Sequence, residues 1–456
     1  MPFCLSSTVK NGTHVSLKER LIKSPLMSCI AGACILWVSF GIRQSLGVFL
    51  IPITLDTGMD RSTFSVGAAL MQLLWGFGQP FLVFLAERKF GFGKMIFGCS
   101  IVYAAGCFIL YASNHSAGLY VFSVGVVIGL AAGGISFPIV LASIGRRFPQ
   151  HSKRQSVAFG IVSSFGSFGQ CCFLPMARGM LTIIGWRMAF VVLGIIMVVL
   201  SPFAYFLQTI PPTPALPNTA TEKKDNKDEE INLDTAEDIM INEEDRPYED
   251  ISAPDIKTAL KEAFTNPTFM LITVGFSVCG FHISFLSTHL PAYLQDNGIN
   301  TSLASWTLSI IGLCSMFGAT LAGYLASIFK PKYILMVIYT LRAILMIIVV
   351  FIPISVTTVV TFSVFFGVSC IFVIVVLIFV VYMVIHCSAY NPVCHQIGAF
   401  LGAYVAGVVY DQSHSYRRMW YGAIAIAAFA VALNFLASVE PMNERRIRLS
   451  NAALKK

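Results

Sequence analysis

Two arginines and three histidines stand in stretches of the chain that are otherwise almost wholly apolar. Arg43 and Arg342 each interrupt a long hydrophobic run. His282 and His289 lie seven residues apart in another, a spacing that puts both on one face of a helix, and His395 opens a further run beside Gln396. Ionisable groups are costly in hydrocarbon and mark functional sites by default. No Asp or Glu lies deep in any of these runs; Asp411 and Glu87 sit near run ends. A guanidinium without a carboxylate partner needs an anion or strongly polar surroundings, and Arg grips a carboxylate through a two-pronged pair of hydrogen bonds. A carrier of cations would keep an acid at depth. The sign therefore points to a negatively charged passenger, with Arg43, His282, His289, Arg342 and Gln396 as candidate contacts. Histidine titrates near neutral pH, which makes His282, His289 and His395 candidates for moving a proton alongside it. The structural alternative has Arg43 snorkelling outward, Arg342 hydrogen-bonding helix carbonyls, and the histidines serving polar helix contacts.

The surroundings of these residues follow from composition. Hydrophobic residues make up 56% of the 456 and charged residues 12%, which excludes a soluble protein of this size, whose charged fraction is usually about 25%. Between Gln208 and Glu262 lie 15 of the 23 acids and 6 of the 31 Lys and Arg, so the rest of the chain is nearly free of acids. The reading is an all-α, multi-pass membrane protein. The first 25 residues are polar and lack the apolar centre of a cleavable signal peptide.

Twelve apolar segments are long enough to cross a bilayer or nearly so: 26–52, 62–86, 94–112, 117–142, 155–178 and 187–207, then 267–292, 301–327, 332–352, 356–386, 395–412 and 418–438. Segment 356–386 is long for a straight span and 395–412 is short. On this placement Arg342 lies about 15 Å from the cytoplasmic start of its helix and Arg43 about 25 Å from its own. Basic residues orient the bundle: 18 fall in short segments on the side of the chain termini and 5 on the other, so both termini are expected in the cytoplasm. The expected organisation is a cytoplasmic tail over 1–25, a six-helix half over 26–207, an acidic flexible linker over 208–266, a second six-helix half over 267–438 and a basic tail over 439–456. The plasma membrane is the expected location. Two glycosylation sequons, at Asn114 and Asn300, then fall in outward loops.

The halves share landmarks. Pro52 and Pro291 are expected to close the first and seventh spans, 239 apart, and Ser62 and Ser302 open the second and eighth, 240 apart. The same shift sends Arg43 onto Ile283, beside His282, so the two are expected to face one central cavity from opposite halves. Two like-oriented halves related by an axis along the membrane normal place a substrate between them near mid-bilayer.

Other signals are weaker. Gly125, Gly129 and Gly133, and Gly398 with Gly402, have the four-residue spacing that lets helices pack closely. Gln72, Gln79 and Gln170 are either cavity-lining groups or interhelical bonds. His386, Cys387, Cys394 and His395 cluster in an expected inward turn, but their spacing matches no familiar zinc site. No phosphate-binding loop, dinucleotide fingerprint or nucleophile triad is present, which argues against an ATP-driven pump or an enzyme. The expected partners are a small organic anion, a proton and the lipid bilayer, with no nucleic acid, no metal and no cofactor.

The run from Gly41 to Leu50, Gly-Ile-Arg-Gln-Ser-Leu-Gly-Val-Phe-Leu, resembles the first-span motif of major facilitator proteins of the monocarboxylate-transporter-like and oxalate/formate-antiporter-like branch. Arg178 to Arg187, ending Gly185-Trp186-Arg187, resembles the motif before their sixth span. Cys279 to His282, Thr288 to Pro291, His395 to Gly402, and Gly407 to Asp411 with Tyr416 are similar to the bacterial members. The resemblance runs from residue 26 to 440. It implies twelve spans in two halves around a central cavity, and secondary transport of short carboxylates with a proton or by exchange. The family's first-span Arg falls on Arg43 and its seventh-span histidines on His282 and His289. The chain departs from the animal carriers, which hold a Lys in span one and an Asp/Arg pair in span eight. Phe372 to Cys394 is also unlike the family's stretch between spans ten and eleven. A carrier of neutral or amphiphilic compounds, including drug efflux, and a non-transporting membrane receptor or scaffold stay open beside the anion carrier.

Overall fold

The computed structural model describes residues 24–113, 116–148, 153–208, 265, 267–329, 331–370 and 391–437. Among these, every regular element is helical, as a bilayer demands of backbone that has no water to bond. Among the described residues ten helices are long and apolar enough to cross a membrane. The longest, Lys153–Leu200, breaks at Gly185, where φ is 75°, and so supplies two spans; Val356–Ser369 is a shorter apolar helix. The spans in order are Pro25–Thr57, Arg61–Leu85, Phe92–Tyr111, Ala117–Gly145, the two parts of Lys153–Leu200, Pro267–Asp296, Thr301–Ile328, Pro331–Phe351, Val356–Ser369, Asn391–Ser413 and Arg417–Leu436, numbered 1 to 12 below. The acidic linker and most of 356–386 beyond Ser369 lie outside the described residues.

Several boundaries differ from expectation for local reasons. Pro52 and Pro291 do not end spans 1 and 7. Each proline is accommodated inside its helix, which runs on to Thr57 or Asp296. The chain turns instead at Gly58 and Gly298, with φ of 72° and 81°, values open to glycine without strain. These true turning points are 240 residues apart, so the repeat survives the correction. The loop expected after residue 178 is absent because nothing interrupts the helix before Gly185. Cys394 and His395 lie inside span 11 rather than in a turn. Asn300 caps span 8, its Oδ1 accepting from Ser302 N at 2.8 Å.

The two sets of six helices pack alike. Span 1 lies on span 5, with Gly169 against Trp37, and span 7 on span 11; spans 1 and 6 meet at Phe49 and Phe190 as 7 and 12 pair, and spans 3 and 6 meet at Phe108 and Gly194 as 9 and 12 pair. Glycine makes the tightest of these approaches possible. A Cβ at Gly169 would strike the carbonyl of Trp37, one at Gly280 that of His395, and those at Gly398 and Gly402 the carbonyls of Ser277 and Phe281. Gly125, Gly129 and Gly133 likewise pack on span 2, against Leu70, Met71 and the backbone at Gln79. The four-residue glycine spacings are thus contacts inside the bundle. One large core fills the first set around Phe49, Phe64, Tyr103 and Phe190, and another fills the second around Phe285, Phe366 and Trp420.

The motif Gly185-Trp186-Arg187 acts at the same face as Gly58. Trp186 Nε1 and Arg187 Nη2 both donate to Asp56 Oδ2, at 3.0 and 2.9 Å, tying the end of span 1 to the start of span 6. At the opposite face Arg147 is buried, and its Nη2 donates to the carbonyls of Phe206 and Gln208 at 2.8 and 2.9 Å. A cation on those terminal carbonyls offsets the negative end of a helix dipole.

Gly402→Val puts methyl groups into the backbone of Phe281, which has no rotamer to change. It should cost about 2 kcal/mol or more, read as a lower thermal midpoint and loss of a monodisperse peak on size exclusion. Gly98, with nothing within 4 Å of an added Cβ, should accept Ala with no loss.

Candidate functional site

Span 1 carries Arg43 to the seam between the two sets of helices. Its guanidinium lies against the rings of Phe40, 4.8 Å away, and Trp75, 4.4 Å away, which meet edge-to-face and hold the charge by its attraction to aromatic faces. Nη1 donates to Gln72 Oε1 at 3.2 Å. Arg43 Nε is buried with no partner, and so are the indole N–H groups of Trp37 and Trp75. No carboxylate among the described residues comes within ion-pair distance of Arg43; the ion pairs there are Arg61–Asp296, Arg146–Glu87 and Arg187–Asp56. Beside it Gln44 donates to Gln170 Oε1 at 3.2 Å, and Gln170 in turn donates across the seam to Leu308 O at 3.1 Å. Gly76, next to Trp75, meets the side chain of Gln396 from span 11. Gln72 and Gln170 are therefore interhelical bonds at the seam, and Arg43 faces protein rather than lipid.

The other candidates come from the second half. Arg342 is fully buried. It donates to Ser369 Oγ at 3.3 Å, Ser369 O at 3.2 Å, Cys279 Sγ at 3.4 Å and Cys370 Sγ at 3.7 Å, and it stacks on Phe366. These contacts tie span 9 to spans 7 and 10. His395 packs on Phe276, ring centroids 4.8 Å apart, and its Nε2 is buried with no partner. His282 departs from expectation. Its Nε2 meets Ala423 O at 3.0 Å, so the ring turns toward span 12 and not toward Arg43, while Nδ1 is buried without a partner.

His289 belongs to a different group, at the face away from the chain termini. Its Nε2 meets Ala403 O at 2.9 Å and Ser65 Oγ at 3.2 Å, and its Nδ1 meets Tyr416 OH at 2.9 Å. Arg61, at the start of span 2, reaches across to both oxygens of Asp296 at 2.7 and 2.8 Å and donates to Tyr416 OH at 3.1 Å. Its guanidinium also covers the Tyr410 ring at 3.7 Å. Asp60 makes no capping bond of its own. Asp411 of span 11 supplies that cap instead, accepting from the backbone N–H groups of Arg61 at 3.2 Å and Ser62 at 2.7 Å. A cap of this kind contributes about 1 kcal/mol and a partly exposed ion pair up to about 1 kcal/mol, and together these bonds join spans 2, 7 and 11.

The six candidates thus separate: Arg43 and Gln396 lie at the seam with His395 next in sequence to Gln396, Arg342 is tied into the second set of helices, His282 turns to span 12, and His289 joins the junction at one end. Sequence reasoning missed Arg61, Asp296, Ser65 and Tyr416 as partners because each sits at a span end, where a charge or hydroxyl is unremarkable on its own. Phe40 and Trp75 carry no charge and stand among other apolar residues, so nothing in the sequence marks them as partners of Arg43. Among the described residues no group of three His, Cys, Asp or Glu is placed to hold a metal. His386 and Cys387 lie outside the described residues.

Comparisons with known proteins agree with this architecture. An MFS-type transporter of Aspergillus fumigatus is 23% identical over 311 residues, covering 66% of this chain and 64% of its own length, so the match spans less than two thirds of that relative. The uncharacterized MFS-type transporter YcxA of Bacillus subtilis is 21% identical over 418 residues, covering 89% of this chain and 92% of its own. The crystal structure of a bacterial homolog to the human lysosomal transporter Spinster, in an inward-facing and occupied conformation, superposes with a TM-score of 0.65 at 17% identity, over 90% of this chain and 96% of that one. Residues 32–391 match the Major Facilitator Superfamily. With helices arranged as described and a match over most of its length, the chain belongs to the Major Facilitator Superfamily and is a multi-pass membrane transporter of that type.

Proposed function

We propose that the protein carries small organic anions, monocarboxylates foremost, by alternating access, moving a proton with the anion or exchanging one anion for another. The observation that supports this reading most is Arg43: a guanidinium at the seam with a buried Nε lacking an acceptor and no carboxylate at hand. A buried cation left in this state is costly, and a bound carboxylate removes the cost. The N–H groups of Trp37 and Trp75 supply further donors, and Gln396 faces the same region from the second half. Arg342 adds positive charge from span 9, while its full set of contacts suits an anchoring role. His282, His289 and His395 are the proton-coupling candidates. The bias of basic residues supports cytoplasmic termini, with 208–266 as a cytoplasmic tether between the halves and the plasma membrane as location.

A second reading, a neutral or amphiphilic passenger, is favoured by one feature. Phe40 and Trp75 present ring faces around Arg43 and already satisfy part of its charge.

Uptake into proteoliposomes separates the two. Labelled pyruvate, lactate and oxalate would be tested with and without a pH gradient. Arg43→Gln should lower carboxylate uptake efficiency by about 2 kcal/mol or more, roughly 30-fold, and Arg43→Lys should restore part of it. Uptake that ignores Arg43→Gln would remove this residue from the site. Trp75→Phe keeps an aromatic face but removes the indole N–H, so it should raise the KM for a carboxylate several-fold while leaving a neutral analogue unaffected. The opposite pattern would favour the second reading.

A further inference from the structure

We propose that His289 and Tyr416 form a proton-operated latch: a proton on His289 Nδ1 releases the Arg61–Tyr416 contact and opens the face away from the chain termini. The inference rests on the transporter reading above and names the step at which one of its proposed histidines acts.

The polarity of the hydrogen bonds carries the case. Ala403 O can only accept, so His289 Nε2 carries a hydrogen and donates to it at 2.9 Å. In the neutral ring Nδ1 is then the acceptor, and Tyr416 O–H donates to it at 2.9 Å. The Tyr416 oxygen accepts from Arg61 Nη1 at 3.1 Å. Donation thus runs in one direction, from Arg61 through Tyr416 and His289 to Ala403, and each step has a donor facing an acceptor. A proton on Nδ1 reverses one link. Imidazolium and guanidinium would then both point donors at a single hydroxyl oxygen, and the Tyr416 hydrogen would have to leave the line.

Neighbouring groups leave little to absorb that change. From span 2, Ser65 gives its own hydrogen to Arg61 O at 2.6 Å. From the end of span 7, Asp296 is engaged by both arms of Arg61, and from span 11, Asp411 is occupied by two backbone N–H groups. Tyr410 covers the guanidinium, and His414 lies edge-on to Tyr410 with centroids 6.2 Å apart. Phe285 closes the remaining side of the ring. Both nearby carboxylates are thus committed, and the cation nearest the ring, one hydroxyl away, is Arg61. A proton binds better once the latch has parted, so by linkage acid populates the open form.

The test needs no passenger. The full chain in lipid nanodiscs would be followed by hydrogen–deuterium exchange at about pH 5.5 and about pH 7.5, with intrinsic rates corrected, in peptides covering the start of span 2 and the end of span 11. Acid should raise exchange there on the order of tenfold, a typical coupling between two sites. His289→Gln and Tyr416→Phe should each lose this pH response, while Asp296→Asn should exchange quickly at both values and so verify that opening is detected. An unchanged wild-type signal overturns the latch, as does a full acid response in either variant. Should His289→Gln fail to fold, Tyr416→Phe decides alone. Absence of carboxylate uptake would sink the anion reading and leave this measurement intact; carboxylate uptake without a pH response in exchange would sink the latch alone.

Discussion

A guanidinium enclosed by low-dielectric protein must have its N–H groups met, and the way each wholly or partly buried arginine meets that demand organises this molecule. Arg147 bonds carbonyls at the end of span 6. Arg342 takes a serine, a carbonyl and two thiols from the helices around it. Arg61 holds a carboxylate in both arms. Arg43 has aromatic faces, a single amide oxygen and a buried Nε with nothing to bond; the Nε of Arg147 is also without a partner, but its two Nη atoms reach Ser143, Phe206 and Gln208. Since burial without compensation is expensive, the contrast among four residues of one type says more about Arg43 than its depth does.

Charge is also separated by place. Carboxylates occur at the ends of spans, where Asp56, Asp296 and Asp411 tie helices together across loops and across the seam. The middle of the bundle holds cations and amides. Ends can therefore close on themselves by ion pairing, whereas the middle has positive charge to spare. Alternating access requires junctions that part and re-form at the ends around a site that does not change sign, and this distribution suits it.

The helices were legible because lipid permits few alternatives: a run of apolar residues without charge has to be helical, and all twelve segments correspond to helix in the described residues. Their limits were less so. Proline at 52 and 291 reads as a terminator in water, but in a packed bundle neighbouring helices accommodate the kink, and the real stops are the glycines at 58 and 298. Arg43 was legible from its isolation among apolar residues. The junction of Arg61, Asp296, Asp411, His289 and Tyr416 was not, because its members lie up to 355 residues apart and only the fold brings them within bonding distance. The same holds for His282, whose partner Ala423 is a backbone carbonyl on another span.

The glycines at the seam carry a mechanical meaning. Gly47 rests on the carbonyls of Ser287 and Thr288, Gly407 on Ser65 and the carbonyl of Arg61, and Gly312 on Gln170 and the backbone of Cys171. At each of these points one surface is bare main chain, with no side chain of its own to interdigitate. At such bearings one half can roll over the other without disengaging interlocked knobs, so at these points the polar clasps nearby, which chemistry can regulate, carry more of the resistance to motion.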